Sequence, residues 1–218
     1  MAGLLNRIAT SPRPVALRGF EPIQRFWDPR SDSWTAKILP GEYYVTRHAE
    51  SIATVLGSCI SACIRDPQLG IGGMNHFMLP EDRESGSGSW NTADGGASNR
   101  YGSYAMESLI NELLKLGARR DRLEIKLFGG GRILPSMTDV GLRNIAFAQS
   151  YLKIEGLTIA AQDVGDVYPR RILYFPATGV VLLKHLRAVE SRSVASVESS
   201  YQESLKGGTD SSDIELFS

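Results

Sequence analysis

The sequence predicts a mixed α/β domain in which strands outnumber helices. Short runs of β-branched and aromatic residues recur along the chain, two stretches place apolar residues at helical spacing, and glycine or proline separates most of these segments. With 218 residues, the chain is long enough for one domain with a single core plus terminal segments.

The strand predictions cover most of the central chain. Tyr43–Thr46 and Ser51–Leu56 have the residue types that strands favour. Residues 59–65 and 71–79 predict a hairpin, because residues 66–70 between them contain a proline and a glycine suited to a turn. Further strands are predicted at residues 123–128, 157–164, 172–175 and 180–183.

Two amphipathic helices are predicted, the first ending at Gly117 and the second at Gly156. The apolar positions at helical spacing are Met106, Leu109, Ile110, Leu113 and Leu114 in the first, and Ile145, Ala148, Tyr151 and Leu152 in the second. Residues 80–100, rich in Gly, Ser, Asp and Asn, predict a long loop.

The terminal segments differ in composition from the centre. Residues 1–36 contain four prolines and no sustained period, which predicts a partly ordered arm, with Phe26, Trp27 and Trp34 indicating that part of it docks. Residues 187–218 are rich in serine and charge, which predicts a loose polar tail, at most with a short helix. The folded domain is therefore expected to span residues 37–186.

Charge and hydropathy exclude several classes of partner. Lys plus Arg and Asp plus Glu each total 24, so no overall field would attract nucleic acid or an anionic membrane. No apolar run approaches the ~18 residues of a membrane span, and the first residues lack the pattern of a signal peptide. We therefore expect a cytoplasmic protein with no nucleic-acid partner and no membrane insertion.

The two cysteines, Cys59 and Cys63, are expected to be free thiols, because a disulfide across four residues would restrict little of the unfolded chain. A thiol becomes a strong nucleophile as the thiolate, which a neighbouring imidazole favours. If the turn pairs Arg65 with Gly70, counting outward places Cys59 directly opposite His76, with Cβ atoms roughly 4.5 to 5.5 Å apart. A register change of one residue would separate them onto opposite faces.

The residues before Cys59 suggest a place for a developing negative charge. Gly57 allows a sharp bend, which would leave the N–H groups of Ser58 or Cys59 free to bind an oxyanion. The spacing also fits a simpler interpretation, in which Cys59 and His76 fill the core and edge of the sheet. Cys63 is best interpreted as a packed small hydrophobe.

Two other kinds of site remain open from the residues alone. Cys59, Cys63 and His76 could supply three zinc ligands, although the cysteines are not at the usual two-residue step. Gly129-Gly130-Gly131 follows a predicted strand and could cradle a phosphate, but a tight structural turn fits these residues better, since neither a Gly-Lys-Ser/Thr motif nor a dinucleotide fingerprint is present.

Residues 54–67, TVLGSCISACIRDP, and residues 72–80, GGMNHFMLP, closely resemble the active-site region of the CheD family of chemoreceptor glutamine deamidases. The similarity extends over about residues 37–186 and includes Phe128-Gly129-Gly130-Gly131 and Val140-Gly141-Leu142-Arg143-Asn144. The resemblance implies a three-layer sandwich of mixed β-sheet layers with helices on one side.

The resemblance also implies a Cys-His-Thr triad that deamidates glutamine side chains of methyl-accepting chemotaxis receptors, without a metal or an organic cofactor. Cys59 and His76 match the first two roles and Thr54 the third, although some family members have the threonine one position earlier, where this chain has Ala53. The implied partners are the cytoplasmic helices of receptors and a CheC-like phosphatase. The alternative is a binding module for the same partners whose thiol is idle.

Overall fold

The computed structural model describes residues 12–80, 97–133 and 140–207, where ten strands form two five-stranded sheets. The first sheet has the order β1 (Gln24–Asp28), β2 (Ser33–Lys37), β4 (Ser51–Leu56), β9 (Arg170–Phe175), β10 (Val180–His185). The second has the order β3 (Tyr43–Thr46), β6 (Ile71–Asn75), β5 (Ile60–Asp66), β7 (Glu124–Gly129), β8 (Ile159–Val164). Both sheets are mixed, because β2 with β4 and β7 with β8 are parallel and the other pairs are antiparallel.

The two predicted helices pack against the second sheet. Helix α1 (Ala97–Lys115) lies on β3, β5 and β6, and α2 (Val140–Ile154) lies on β5. Their buried faces use the apolar residues found at helical spacing in the sequence, including Leu109, Leu113 and Leu152. Strand β6 is buried at every residue and β5 at all but Arg65, as expected for strands covered on both faces. The architecture is thus mixed α/β and consistent with a sandwich.

The β5–β6 hairpin forms as predicted, but its register differs from the prediction by two residues. Arg65 pairs with Gly72 rather than Gly70, because Asp66 pairs with Ile71 and extends the ladder. The Gly70 N–H donates to the Asp66 carbonyl oxygen at 3.0 Å, and Gly70 has the positive φ of +65° that this tight closure requires. A shift of two residues leaves each side chain on its predicted face, so Cys59 and His76 become diagonal neighbours rather than a directly opposed pair.

The terminal segments contribute more structure than their composition predicts. Strand β1 and all of β2 except Lys37 lie within the predicted arm, and both strands join the first sheet, where β2 pairs with β4. The predicted tail contains helix α3 (Ala188–Gly207), which is 20 residues long and follows β10 closely. The division of the chain at residues 36 and 187 stays a prediction.

Residues 81–96, which form most of the predicted loop, lie outside the described residues, and residue 97 already belongs to α1. In the described ranges, every helix is too short or too polar to cross a lipid bilayer.

Candidate active site

The candidate site lies where the chain passes from the first sheet to the second. β4 ends at Leu56, and Gly57-Ser58-Cys59 connects it to β5, while His76 follows the last residue of β6. The Cys59 Sγ atom, a ring nitrogen of His76 and a carboxylate oxygen of Glu198 lie within 4.8 Å of one another. The fold therefore brings together the two residues predicted from the sequence and a third that the sequence analysis did not identify.

His76 is held by its backbone and by one of its ring nitrogens. Its N–H donates to the Glu42 carbonyl oxygen at 2.9 Å, and its carbonyl oxygen accepts from the Gly41 N–H at 2.8 Å. Nδ1 lies 2.8 Å from Thr54 Oγ1, and the Thr54 hydroxyl also lies 2.8 Å from the Ile38 carbonyl oxygen. The Ile38 carbonyl oxygen can only accept a hydrogen bond, so it receives the single proton of the Thr54 hydroxyl. The hydroxyl oxygen then accepts from the ring, which places the ring N–H on Nδ1 and leaves Nε2 with a free lone pair.

The environment of Nε2 suits a group that accepts a proton. Within the described residues, Nε2 of His76 has no hydrogen-bond partner although it is buried. Burial lowers the pKa of His76 from 6.5 to about 3, because a charged imidazolium would lose its hydration. The imidazole is therefore neutral in this conformation at any pH near 7.

The structure distinguishes Thr54 from Ala53 as the neighbour of His76. Thr54 is buried and its hydroxyl contacts the imidazole, whereas Ala53 is the adjacent residue of β4 and so points to the other face of the sheet. The hydroxyl at position 54 is therefore the one that can orient the ring.

Three consecutive backbone N–H groups point at one position beside Cys59, and the Glu198 carboxylate occupies it. Oε1 accepts from the N–H of Gly57 at 2.8 Å and of Cys59 at 3.1 Å. Oε2 accepts from the N–H of Ser58 at 2.7 Å and from its hydroxyl at 2.6 Å. A Cβ atom at Gly57 would lie 2.7 Å from Oε2 and 2.1 Å from Ile133 Cδ1, so this close approach requires glycine.

Glu198 also changes the electrostatics of the thiol. Burial, followed by the negative charge of Glu198, raises the pKa of Cys59 well above its ordinary value. Cys59 is fully buried and His76 is 1% exposed, so neither is open to an incoming side chain in this conformation. This conformation therefore holds the thiol protonated and covered.

The triple glycine supports the connection that carries Cys59. The Gly130 N–H donates to the Cys59 carbonyl oxygen at 2.7 Å, and the Gly131 N–H donates to that of Gly57 at 2.6 Å. A Cβ atom at Gly129, which has a φ of +115°, would lie 2.2 Å from the same Cys59 oxygen. Because the two N–H groups are engaged, this segment is a structural turn, and a phosphate cradle finds no support.

Asn144 of α2 is a second residue that the sequence analysis did not assign to the site. Its Nδ2 donates to the Ser58 carbonyl oxygen at 2.7 Å, and its Oδ1 accepts from the Leu79 N–H at 2.9 Å. It thereby links the connection before Cys59 to the segment after His76. Its position in the motif at residues 140–144 was the available signal, although that motif showed no partner for it.

The donor groups that could hold a metal differ from those considered in the sequence. Cys59, His76 and Glu198 form the group with ligand spacing, whereas Cys63 is a buried free thiol on β5, as expected for a packed small hydrophobe. The oxygens of Glu198 already accept four hydrogen bonds, so a cation would have to displace these donors.

Comparisons with known proteins identify the family. A family profile described as "CheD chemotactic sensory transduction" matches residues 78–185. A protein of Hydrogenovibrio crunogenus, named "Probable chemoreceptor glutamine deamidase CheD", is 53% identical over 195 residues, which cover 89% of this chain and 100% of that protein.

Two further relatives have the same name. One from Halorhodospira halophila is 49% identical over 204 residues, covering 94% of each chain. One from Saccharophagus degradans is 45% identical over 219 residues, covering 100% of both chains. Identity at this level over nearly the whole length shows that the chain belongs to the CheD family.

Proposed function

We propose that the protein is a cysteine amidohydrolase that converts glutamine side chains of chemoreceptors to glutamate. The observation that carries this proposal is the convergence of a thiol, an imidazole nitrogen with a free lone pair and three backbone N–H groups around one position. The names of the relatives supply the substrate class.

The reaction begins with proton transfer from the Cys59 thiol to Nε2 of His76. The thiolate adds to the carboxamide carbon, and the oxyanion that forms is bound by the N–H groups of Ser58 and Cys59, with Gly57 allowing the close approach. His76 then returns the proton to the nitrogen, which leaves as ammonia, and a thioester remains on Cys59. Water deprotonated by His76 hydrolyses the thioester to a glutamate carboxylate and the free thiol.

Thr54 acts as a positioning residue, since its hydroxyl fixes the proton of His76 on Nδ1 and directs Nε2 toward the reaction. The sequence of steps needs a nucleophile, a base and oxyanion donors, and no step requires a metal or an organic cofactor. In a three-layer sandwich of the CheD type, the helices pack on the outside of the second sheet. This arrangement would place the site where the two sheets meet.

The substrate is a cytoplasmic helix of a methyl-accepting chemotaxis receptor, which places the enzyme in the cytoplasm. A CheC-like phosphatase is the further partner that family membership suggests. Nucleic acid is not an expected partner, because the net charge is zero. Membrane insertion is not expected either, because no apolar run approaches the length of a membrane span.

Replacing Cys59 tests the proposal. A receptor cytoplasmic fragment incubated with the wild type should gain about one mass unit for each glutamine converted, and the Cys59→Ala variant should lower that rate by about 10³-fold or more. Peptide mass spectrometry and ammonia release measure both quantities.

The matched control is Cys63→Ala, which removes the other buried thiol and should retain activity once allowance is made for folded protein. Equal receptor masses after incubation with the wild type and with Cys59→Ala would contradict the proposal and favour a binding module with an idle thiol.

A further inference from the structure

Helix α3 brings a glutamate side chain into the position where a receptor glutamate would be produced. Its Glu198 is 1% exposed and accepts hydrogen bonds from Gly57, Ser58 and Cys59, the residues assigned above to oxyanion binding and its support. Glutamate is also the product of glutamine deamidation. The same chemical group is therefore presented, from a helix, to the same donors.

Other residues on the buried face of α3 also support this placement of Glu198. The buried and half-buried residues recur at helical spacing, and they are Val194, Ala195, Glu198, Ser199, Tyr201, Gln202 and Leu205. The Tyr201 hydroxyl forms a hydrogen bond with that of Tyr101 on α1. A Cβ atom at Gly41 would lie 2.8 Å from the Tyr201 oxygen, so Gly41 leaves space for this ring. The surface beneath α3 thus accepts a whole helix.

The attachment of α3 is of a kind that a competing helix can replace. Within the described residues Glu198 forms no ion pair, so its charge is balanced only by neutral donors, which bind an uncharged carboxamide as well. In the described residues, each contact of α3 with another element is less extensive than the contact of α1 or of α2 with β5. Two residues separate β10 from α3, so the tether keeps the local concentration of Glu198 high.

We propose that α3 is a tethered product mimic that closes the active site, and that a substrate helix docks on the surface that α3 vacates. This inference rests on the proposed deamidase function and adds the orientation of the substrate and a means of regulation. It accounts for a thiol that is both buried and far from ionisation in this conformation. Displacement of α3 removes the nearby negative charge and opens the thiol to the incoming carboxamide.

The first experiment compares receptor deamidation by the full-length wild type, Glu198→Ala and Glu203→Ala. Glu203 lies on the exposed side of the same helix and is the matched control. At receptor concentrations below saturation, Glu198→Ala should be faster by about ten-fold, because the tethered competitor is weakened, while Glu203→Ala should equal the wild type. A Glu198→Ala rate at or below that of an active wild type overturns the inference and leaves the proposed function intact. If none of the three proteins deamidates the receptor, the proposed function fails as well.

Thiol alkylation shows whether the site opens while the fold is retained. Iodoacetamide should modify Cys59 faster in Glu198→Ala than in the wild type, whereas Cys63, which is buried on β5, should stay protected in both. Faster modification of both cysteines would signal unfolding, and Glu198→Met, which keeps a side chain of similar size but cannot accept these hydrogen bonds, then replaces the alanine variant. Unchanged alkylation of Cys59 in a folded variant overturns the inference.

The second experiment makes α3 a tethered substrate. In Glu198→Gln, Cys59 should attack the carboxamide at position 198, release ammonia and, after hydrolysis, restore the carboxylate with a gain of about one mass unit. The double variant Glu198→Gln with Cys59→Ala should keep the amide. An amide that persists at position 198 in an enzyme that deamidates the receptor overturns the assignment of α3 as a product mimic.

Discussion

A buried carboxylate lies at each end of the β5–β6 hairpin. Each carboxylate accepts four hydrogen bonds, but the donors differ in kind. At the turn, Asp66 accepts from the N–H groups of Gln68 and Arg119 and twice from the Arg122 guanidinium, at 2.9 and 2.6 Å. At the other end, the Glu198 carboxylate accepts from three backbone N–H groups and a serine hydroxyl, all neutral.

This difference separates a permanent part of the fold from an exchangeable one. Burial acts to raise the pKa of Asp66, but hydrogen bonds, led by that from Arg122, outweigh it and lower the pKa. Because the Arg122 guanidinium is charged, Asp66 must be ionised to balance it. The neutral donors around Glu198 have no charge that must be balanced, so they can also donate to an uncharged amide oxygen, but more weakly than to a carboxylate.

The largest expected effect is the loss of stability when the charge of Asp66 is removed, compared with removal of the charge of Glu198. In a Cys59→Ala background, which prevents conversion of an introduced amide, Asp66→Asn should reduce the free energy of unfolding by about 3 kcal/mol, because the Arg122 charge loses its partner. Glu198→Gln should cost less, about 1 kcal/mol, because the amide oxygen keeps the donors of Gly57 and Cys59 and the amide N–H can donate to the Ser58 hydroxyl, so that only the Ser58 N–H loses its acceptor. Urea unfolding measures both values, and a larger loss for Glu198→Gln than for Asp66→Asn would contradict the comparison.

A smaller effect is expected from the hydroxyl that orients His76. Thr54→Val removes the acceptor for Nδ1–H, so the turnover number for the receptor fragment should fall by about 10- to 100-fold while KM changes little. Thr54→Ser keeps the hydroxyl and should restore most of the rate. If serine and valine lower the turnover number equally, position 54 contributes packing rather than orientation.

The smallest expected effect is the pH dependence that His76 gives to stability. Its pKa is about 3 in the folded protein and near 6.5 when unfolded, so below pH 6.5 the unfolded chain binds a proton that the folded chain does not. The stability due to neutral His76 is therefore complete above this pH and is lost as the pH falls toward 3. Between pH 7.5 and 5.5 the wild type should lose about 1.4 kcal/mol more than His76→Asn. Equal losses in denaturant unfolding of the two proteins would show that burial does not lower the pKa of His76.

Local patterns predicted the central elements well, because each is determined by residues close in sequence. The strands at Tyr43–Thr46 and Ser51–Leu56 have the predicted bounds, and both amphipathic helices are present. The predicted register of the hairpin was wrong by two residues, because Asp66 extends the strand. In this extended strand Asp66 contacts Arg122, which is distant in sequence. Cys59 and His76 nevertheless meet, since an even shift preserves the face.

The sequence could not reveal Glu198, because it lies 139 positions from Cys59 and within a segment whose composition resembles a disordered tail. The available signal was the spacing of Val194, Tyr201 and Leu205 around it, which is helical but interrupted by polar residues. Gly57 was assigned to the site for its backbone freedom. In the structure, the missing side chain at Gly57 also leaves space for Ile133 and for an oxygen atom that approaches the backbone.

The hydrogen bond between Thr54 and His76 joins a strand of one sheet to the end of a strand of the other. A chain in which only one sheet has formed lacks this hydrogen bond, so the proton of His76 is not fixed on Nδ1. The proposed activity therefore requires the two sheets to be packed together, since the threonine that orients the imidazole and the histidine itself lie on different sheets.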